Sequence, residues 1–328
     1  MVLFVFMNNL VTYKTKQFFF VLIKVSIVTG AFYYIFNKLT NNVNLNFSIF
    51  ISFLSNNDVF SLKNIIVLLI LTLLNWFLEI FKWQKLVGIF KKISFKNALE
   101  QNLGALTASL FTPNRIGEYV AKTIYFSGNF RKKVIFLNLL GNLSQMLVTT
   151  FFGTIGLLFF IFNYKIDLDY YKIGSFIFII LLVCTIAVFR IKNSTFTIKG
   201  LSIEKIKNSI VKFPKKTAST TIKLSVLRYI TFSFQFYFLL QIFKVETNYF
   251  NAMTLITSMY LLASIIPSIF IFDVIIKGSV ALFIFSFIQV DELTILSITT
   301  LMWLLNFVLP SLFGSYYVLN FNLPKTNS

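Results

Sequence analysis

Histidine is absent from this 328-residue chain, cysteine occurs once, and charged residues are scarce. The single cysteine, Cys184, cannot form a disulfide within the chain, and without histidine there is no imidazole for a zinc site, a general base or a catalytic triad. Charged residues make up 12% of the sequence, whereas soluble domains carry about 25%. These shortages exclude the commonest hydrolytic and metal sites and argue against a soluble domain.

The chain is rich in apolar residues: 57% of it is hydrophobic, with 43 Phe and a mean hydropathy of +0.80. A spanning helix needs roughly 20 apolar residues. Two apolar regions, about 98–126 and 251–288, are interrupted by Pro113 and Pro267, and each is either two short spans or a re-entrant hairpin. The sequence therefore predicts an all-α polytopic membrane protein with a single integral domain over residues 1–328. Six uninterrupted runs are expected to span, the first as an uncleaved helix: 17–36, 63–81, 134–162, 173–189, 223–243 and 294–320.

The charges of the connecting segments predict the orientation. Segments 82–96, 127–133 and 190–216 are rich in Lys and Arg, whereas the alternate segments are nearly neutral or acidic. Short basic loops stay in the cytoplasm, so both termini are expected inside. This distribution also explains the net charge of +19 without a nucleic-acid partner, since basic loops attract the anionic inner leaflet.

The two interrupted regions resemble each other. Pro113 is followed by Glu118 and Lys122, and Pro267 by Asp273 and Lys277, with the acid four residues before the base in both. The predicted topology gives the regions opposite orientations, which is typical of inverted repeats that form a substrate site near the bilayer midplane. We therefore expect repeat 1 over about 63–162, a cytoplasmic linker over about 190–222 and repeat 2 over about 223–320.

The stretch after Pro113 is the predicted site. Thr112 and Pro113 suit an N-cap and a first helical position, and a helix end inside the membrane attracts anions. Arg115, Glu118 and Lys122 share one helical face that cannot be turned toward lipid cheaply. Either this face lines a wet cavity that holds a phosphate-bearing head group, or Glu118 neutralises both cations in a buried structural network.

Two other polar groups have alternative interpretations. Glu79 and Lys82 are expected to form an interfacial pair at the cytoplasmic end of the second span, with a place in the substrate path as the alternative. Asn138, Asn142 and Gln145 form a stripe on one helical face. Interhelical hydrogen bonds are expected of this stripe, with a head-group path as the alternative.

Four segments together resemble the lysylphosphatidylglycerol synthase transmembrane-region family, the flippase-like domain of multiple peptide resistance factors. They are LEIFKW at 78–83, FTPNRIGEYVAK at 111–122, GNLSQ at 141–145 and IIPSIFIFDVIIKGS at 265–279. The resemblance implies inverted repeats, re-entrant helices and lipid binding or movement. By position it assigns Pro113, Arg115, Gly117 and Glu118 to the first motif and Pro267 to the second. Ser268 and Ile269 depart from the glycines frequent after the second proline, and no aminoacyl-transferase domain is found in the chain.

We expect a stand-alone flippase-like protein, not an enzyme, that binds and translocates an anionic phospholipid or lipid-linked head group. A membrane-embedded enzyme on a lipid-linked substrate and a structural subunit of a lipid-modifying complex are the alternatives. No cofactor or metal is expected; the partners are lipid and membrane, and a homo-oligomer is left open. The candidate substrate-binding residues are Thr112, Pro113, Arg115, Gly117, Glu118, Lys122, Pro267, Asp273 and Lys277.

Overall fold

The computed structural model describes residues 47–110, 112, 116–166, 213–266 and 273–321, and every regular element in these ranges is helical. The predicted spans 17–36 and 173–189, most of the linker, and Pro113, Arg115 and Pro267 lie outside the described residues. The helices are α1 (Phe47–Asn56), α2 (Leu62–Val87), α3 (Phe95–Ala108), α4 (Ile116–Ile124), α5 (Arg131–Asn163), α6 (Lys215–Ile242), α7 (Tyr249–Ile265), α8 (Asp273–Ser286), α9 (Glu292–Trp303) and α10 (Leu309–Asn320).

Three helical stretches are long and apolar enough to cross a membrane. They are Leu62–Val87, Gly128–Asn163 and Glu292–Asn320, and they cover three of the predicted spans. The last stretch joins α9 to α10 through a π-helical turn. A helix also forms over the predicted span 223–243, but the polar residues of α6 make it less apolar than these three. Helix α1 was not predicted.

Many large apolar side chains lie on the outside of the bundle, while several polar side chains are buried inside it. On α2, Leu73 is 69% exposed, whereas Asn75 two residues later is 3% exposed. Lys82, further along the same helix, is also buried. Exposed apolar side chains beside buried polar ones are expected for a bundle surrounded by hydrocarbon, where polar groups must find partners inside.

The predicted interruptions are present in both hairpin regions. Helix α3 ends at Ala108 and α4 begins at Ile116, while α7 ends at Ile265 and α8 begins at Asp273. At 1.5 Å per residue, α3 is about 21 Å long and α4 about 14 Å. Both described helices are shorter than the roughly 30 Å hydrocarbon layer.

The first hairpin opens toward the end of the bundle where α5 begins and α10 ends. Phe90, just before α3, stacks on Phe130, just before α5, at 5.1 Å between ring centroids. Tyr125, just after α4, meets Phe321, just after α10, edge to face at 4.6 Å. Four helix ends therefore meet at this end of the bundle.

The second hairpin opens toward the opposite end. The hydroxyl of Tyr164, just after α5, donates a hydrogen bond of 3.0 Å to Oδ1 of Asn251 at the start of α7. Phe287, just after α8, meets Phe160 near the end of α5 edge to face at 5.0 Å. Because α5 runs from one end to the other, the two hairpins enter the bundle from opposite ends.

Each hairpin packs its first helix against a long helix of the other half. Helix α7 lies along α5, α3 lies along α10, and α2 lies along α6. Glycines allow the first two contacts: a β-carbon on Gly153 would overlap the Thr257 carbonyl and Leu261, and one on Gly314 would overlap the Leu103 carbonyl and Thr107. Small residues at such crossings let helix backbones approach closely, as is common in membranes.

Candidate functional site

The predicted site residues of the first hairpin begin with a tight turn between α3 and α4. Thr112 Oγ1 accepts a hydrogen bond of 2.8 Å from the Gly117 N–H, and its hydroxyl donates to the Ser109 carbonyl at 2.8 Å. A β-carbon on Gly117 would lie 2.8 Å from Thr112 Cγ2, so only glycine fits. Thr112 therefore holds the described start of α4 through Gly117, as a helix-capping side chain does, while Pro113, the predicted first helical position, lies outside the described residues.

Lys122 is sealed inside the bundle with three partners. Its Nζ lies 2.7 Å from Glu118 Oε1 one turn earlier, donates to Asn138 Oδ1 of α5 at 2.8 Å, and lies 4.2 Å from the ring centroid of Trp83 on α2. The residue is 1% exposed. A buried cation of this kind is stable only when it is paired and hydrogen-bonded, and Lys122 meets both conditions.

Trp83 connects this cation to the start of the hairpin. The indole Nε1–H donates to Gln101 Oε1 of α3 at 2.8 Å, while the ring face supports Lys122. Gln101 is 5% exposed. One aromatic side chain thus fixes the relative positions of α2, α3 and α4.

A second ion cluster lies further inside, between α2 and α6. Glu79 Oε2 lies 2.8 Å from Lys82 Nζ and 2.8 Å from Arg228 Nη1. Lys82 Nζ also donates to the Gly141 carbonyl at 3.3 Å. The expected Glu79–Lys82 pair forms, but it is packed inside the bundle: Lys82 is 2% exposed, and Arg228 completes an interhelical cluster.

The two clusters share one face of α5. Asn138 contacts Lys122, and Gly141, less than one turn later, accepts from Lys82. Within the described residues the joined clusters hold three cations and two carboxylates: Lys82, Lys122, Arg228, Glu79 and Glu118. The set carries one excess positive charge, before any contribution from Arg115.

A row of amides extends the network along α6. Arg228 Nε donates to Asn75 Oδ1 at 3.0 Å, Asn75 Nδ2 donates to Asn306 Oδ1 at 2.7 Å, and Asn306 Nδ2 donates to Gln235 Oε1 at 2.8 Å. Asn306 lies in the π-helical turn between α9 and α10. The row therefore ties α2, α6 and the last span together by side chains alone.

The π-helical turn has a cause in the sequence. Pro310 has no N–H to donate to the carbonyl four residues earlier, which belongs to Asn306. That carbonyl accepts the indole N–H of Trp76 at 3.1 Å instead. Arg228, Asn75, Gln235 and Asn306 were missed as site residues, although polar side chains inside apolar spans and a proline within the last span were available signals.

The polar stripe of α5 makes interhelical hydrogen bonds, as predicted. Asn142 Nδ2 donates to the Tyr119 hydroxyl of α4 at 2.9 Å, and Gln145 Nε2 donates to the Ser225 carbonyl of α6 at 3.4 Å. Asn138, the first member of the stripe, belongs to the Lys122 cluster. The stripe thus holds both α4 and α6 against α5.

The second hairpin contributes less to the described site. Asp273 begins α8, and Lys277 lies one turn later, half-buried. Both residues belong to α8, four positions apart. Pro267 and the tip of this hairpin lie outside the described residues, as do Pro113 and Arg115 in the first.

In comparisons with known proteins, the chain matches no family model, no curated protein and no solved structure. The resemblance to the lysylphosphatidylglycerol synthase transmembrane-region family therefore stays a prediction. Among the described residues, no group of three or more Cys, Asp or Glu side chains lies close enough to hold a metal ion. The buried charge cluster around Lys122 and Glu79 is the candidate functional site.

Proposed function

We propose that the chain is a flippase-like membrane protein that binds the anionic head group of a phospholipid or lipid-linked molecule between two inverted hairpin repeats and moves it across a bacterial inner membrane. The observation that carries the proposal is the buried cluster of three cations and two carboxylates beside the first hairpin. Charges inside a membrane cost about 2.5–3.5 kcal/mol each on insertion scales. Such charges are retained where they serve a substrate path.

Matched packing supports the inverted repeat. Gly153 follows the start of α5 by as many residues as Gly314 follows the start of α9. Each of these glycines contacts the first helix of the opposite hairpin. Two similar halves that exchange contacts in this way are what a pseudo-two-fold axis in the membrane plane produces.

The partners of these glycines are also in register. Thr257 and Leu261 follow the N-cap Asn248 by as many residues as Leu103 and Thr107 follow the N-cap Ser94. The contact surfaces therefore agree on both sides of each crossing. The agreement extends to the ends, where Tyr125 on Phe321 and Phe287 on Phe160 are both edge-to-face pairs.

The centre of the bundle supports the same symmetry. Asn75 follows the start of α2 by as many residues as Arg228 follows the start of α6. These two residues hydrogen-bond to each other at 3.0 Å. Equivalent residues of two repeats meet only on the axis that relates them, so we place the axis at this bond and the ion cluster beside it.

The head group is proposed to bind at the tip of the first hairpin. Arg115 stands directly before Ile116, the start of α4, and therefore within one turn of Glu118. The excess positive charge of the cluster favours an anion here, and the guanidinium supplies charge-assisted hydrogen bonds to phosphate. Alternating access would follow from rocking one repeat against the other around this point.

The test compares lipid transfer by Arg115→Gln and Arg131→Gln proteins reconstituted in vesicles. A lost charge-assisted hydrogen bond is worth about 1.5–3 kcal/mol, so Arg115→Gln should slow head-group transfer by roughly 10- to 100-fold while the protein remains inserted and folded. Arg131 is exposed at the start of α5 and should tolerate the change. Normal transfer by folded Arg115→Gln protein would refute the anion site.

A structural role for the cluster is the second candidate, favoured by the complete pairing of Lys122 with Glu118, Asn138 and Trp83. A structural subunit would lose stability but have no transfer activity to lose. Measuring thermal unfolding and transfer on the same Glu118→Gln protein separates the candidates. In the transport proposal, folded Glu118→Gln protein binds the head group but releases it slowly, since the charges of Arg115 and Lys122 are no longer offset by the Glu118 carboxylate.

A further inference from the structure

A cavity of about 390 Å³ lies outside the charge cluster, at the end of the bundle where the first hairpin opens. It is bounded by the segment after α2, the first turns of α3 and the ends of α4 and α10. Its volume falls within the range of small-molecule sites, about 300–1,000 Å³. The lining residues are Lys91, Lys92, Ile93, Asn97, Glu100, Gln101, Tyr125, Asn320 and Phe321.

Gln101 supplies a hydrogen-bond donor of fixed orientation at this cavity. Its Oε1 accepts from the Trp83 indole, which can only donate, so the amide orientation is determined and Nε2 is its donor end. Within the described part of the chain, Nε2 makes no hydrogen bond, although the residue is 5% exposed and lines the cavity. Nε2 is not among the buried atoms that lack a partner in the described part of the chain, so it keeps access to the cavity and can donate to an acceptor on a ligand.

The remaining walls supply charge and neutral donors. Lys91 and Lys92 are exposed lysines of the lining, and Asn97 and Asn320 add amide side chains. The same end of the bundle carries the basic segment 82–96. Ammonium groups and oriented amides together form a site for a tetrahedral oxyanion, whose oxygens accept all of these hydrogen bonds.

We propose that this cavity binds a phosphate group, held by Lys91, Lys92 and Gln101 Nε2. The site is distinct from the Arg115 site, and its binding can be measured without any transport. It is coupled to the charge cluster through two contacts, since Gln101 holds Trp83 and Trp83 supports Lys122. Glu100 of α3 also lines the cavity, and its negative charge disfavours the binding of an anion there.

The test is calorimetric titration of the purified full chain in neutral detergent with dioctanoyl phosphatidylglycerol, and separately with inorganic phosphate. The Lys91→Gln/Lys92→Gln double variant should weaken binding of the phosphate probe at least tenfold. The matched control is Lys132→Gln/Lys133→Gln, which removes two exposed lysines outside the cavity and should change affinity less than twofold. Binding of the lipid but not of inorganic phosphate would identify a lipid head group, and equal binding of both would identify free phosphate.

Two further variants act in opposite directions. Gln101→Glu keeps an oxygen for the Trp83 indole but replaces the donor with an acceptor, and it should weaken phosphate binding at least tenfold. Glu100→Gln removes the opposing carboxylate and should strengthen binding about threefold. The proposal is overturned if neither probe binds, if both double variants weaken binding equally, or if Gln101→Glu protein that unfolds at the wild-type temperature binds normally.

Discussion

The two proposed repeats, about 63–162 and 223–320, have similar helix packing but different buried side chains. Trp83 and Gln101 form a buried hydrogen bond in the first half. The residues at matching distances from the helix starts in the second half are Phe236 and Leu255, and both lie in an apolar core cluster. The difference teaches that helix packing at this position does not require a polar pair, because the second half has apolar side chains there.

The ion cluster repeats this contrast. The position in α6 that matches Glu79 is Phe232, which meets the ring of Tyr260 edge to face at 4.9 Å, and the position that matches Lys82 is Gln235. A carboxylate and an ammonium in one half thus correspond to an aromatic ring and a neutral amide in the other. If the scaffold is repeated and the charge is not, the charged half is where a substrate-specific role resides.

The largest effect that sharpens this contrast is expected at Glu79. Glu79→Gln leaves Lys82 and Arg228 buried without their carboxylate, and breaking a buried pair in this way costs about 3–5 kcal/mol. Thermal unfolding in detergent should show the loss as a strongly lowered Tm. Glu246→Gln, at an exposed carboxylate in the second half, is the control and should leave Tm nearly unchanged. Equal effects would remove the distinction between the halves.

A comparison of the two hairpin lysines comes next. Lys122→Met leaves Glu118 and Asn138 without the ammonium that they share, and we expect a loss of about 3 kcal/mol. Lys277→Met, four residues after Asp273 as Lys122 is four after Glu118, should cost less than half as much, because Lys277 is only half-buried and its ammonium loses less hydration on folding. Denaturant unfolding of the two variants side by side makes the measurement. A larger loss at Lys277 would contradict the conclusion that, of the two hairpin lysines, Lys122 is the one on which the buried cluster depends.

The crossing glycines test the equivalence of the scaffold. Gly153→Ala and Gly314→Ala each place a β-carbon against a backbone carbonyl of the opposite hairpin, and overpacking of this kind costs about 1–3 kcal/mol. The two losses of unfolding free energy should agree within a factor of two. Gly128→Ala meets nothing within 4 Å and serves as the control. A clear loss of unfolding free energy at only one of the two glycines would contradict the structural equivalence of the two crossings.

The smallest expected effect concerns the helix caps. Ser94 and Asn248 accept hydrogen bonds from the Asn97 and Asn251 N–H groups at 3.2 and 2.8 Å. Replacing either by alanine should cost about 1 kcal/mol, with similar values in both halves. Thr247→Ala, beside the second cap, should change the free energy of unfolding by less than about 0.5 kcal/mol. Unequal caps would show that the two hairpins are anchored differently.

Much of the architecture followed from hydropathy and prolines. Three predicted spans formed as long apolar helices, and helices were interrupted in both regions marked by Pro113 and Pro267. These features are readable along the chain, since the length of an apolar run lies within one continuous segment and a missing N–H acts within one turn. Helix α1 was missed because Phe47–Asn56 is too short for the span criterion.

The partners within the site could not be predicted with equal success. Spacing along one helix correctly placed Glu118 beside Lys122 and associated Glu79 with Lys82, but it carries no information about a helix more than a hundred residues away. Arg228 reaches Glu79 only because α2 and α6 pack together. The same limit explains why the Glu79–Lys82 pair was expected at the interface.

The most direct test is whether the two hairpins open to opposite sides of the membrane. In a Cys184→Ser background, Gly128→Cys and Glu292→Cys place thiols just before α5 and at the start of α9, the matching ends of the two halves. With an impermeant thiol reagent on intact cells, we predict that Glu292→Cys reacts and that Gly128→Cys reacts only after permeabilisation. Reaction of both thiols from the same side would contradict the inverted repeat.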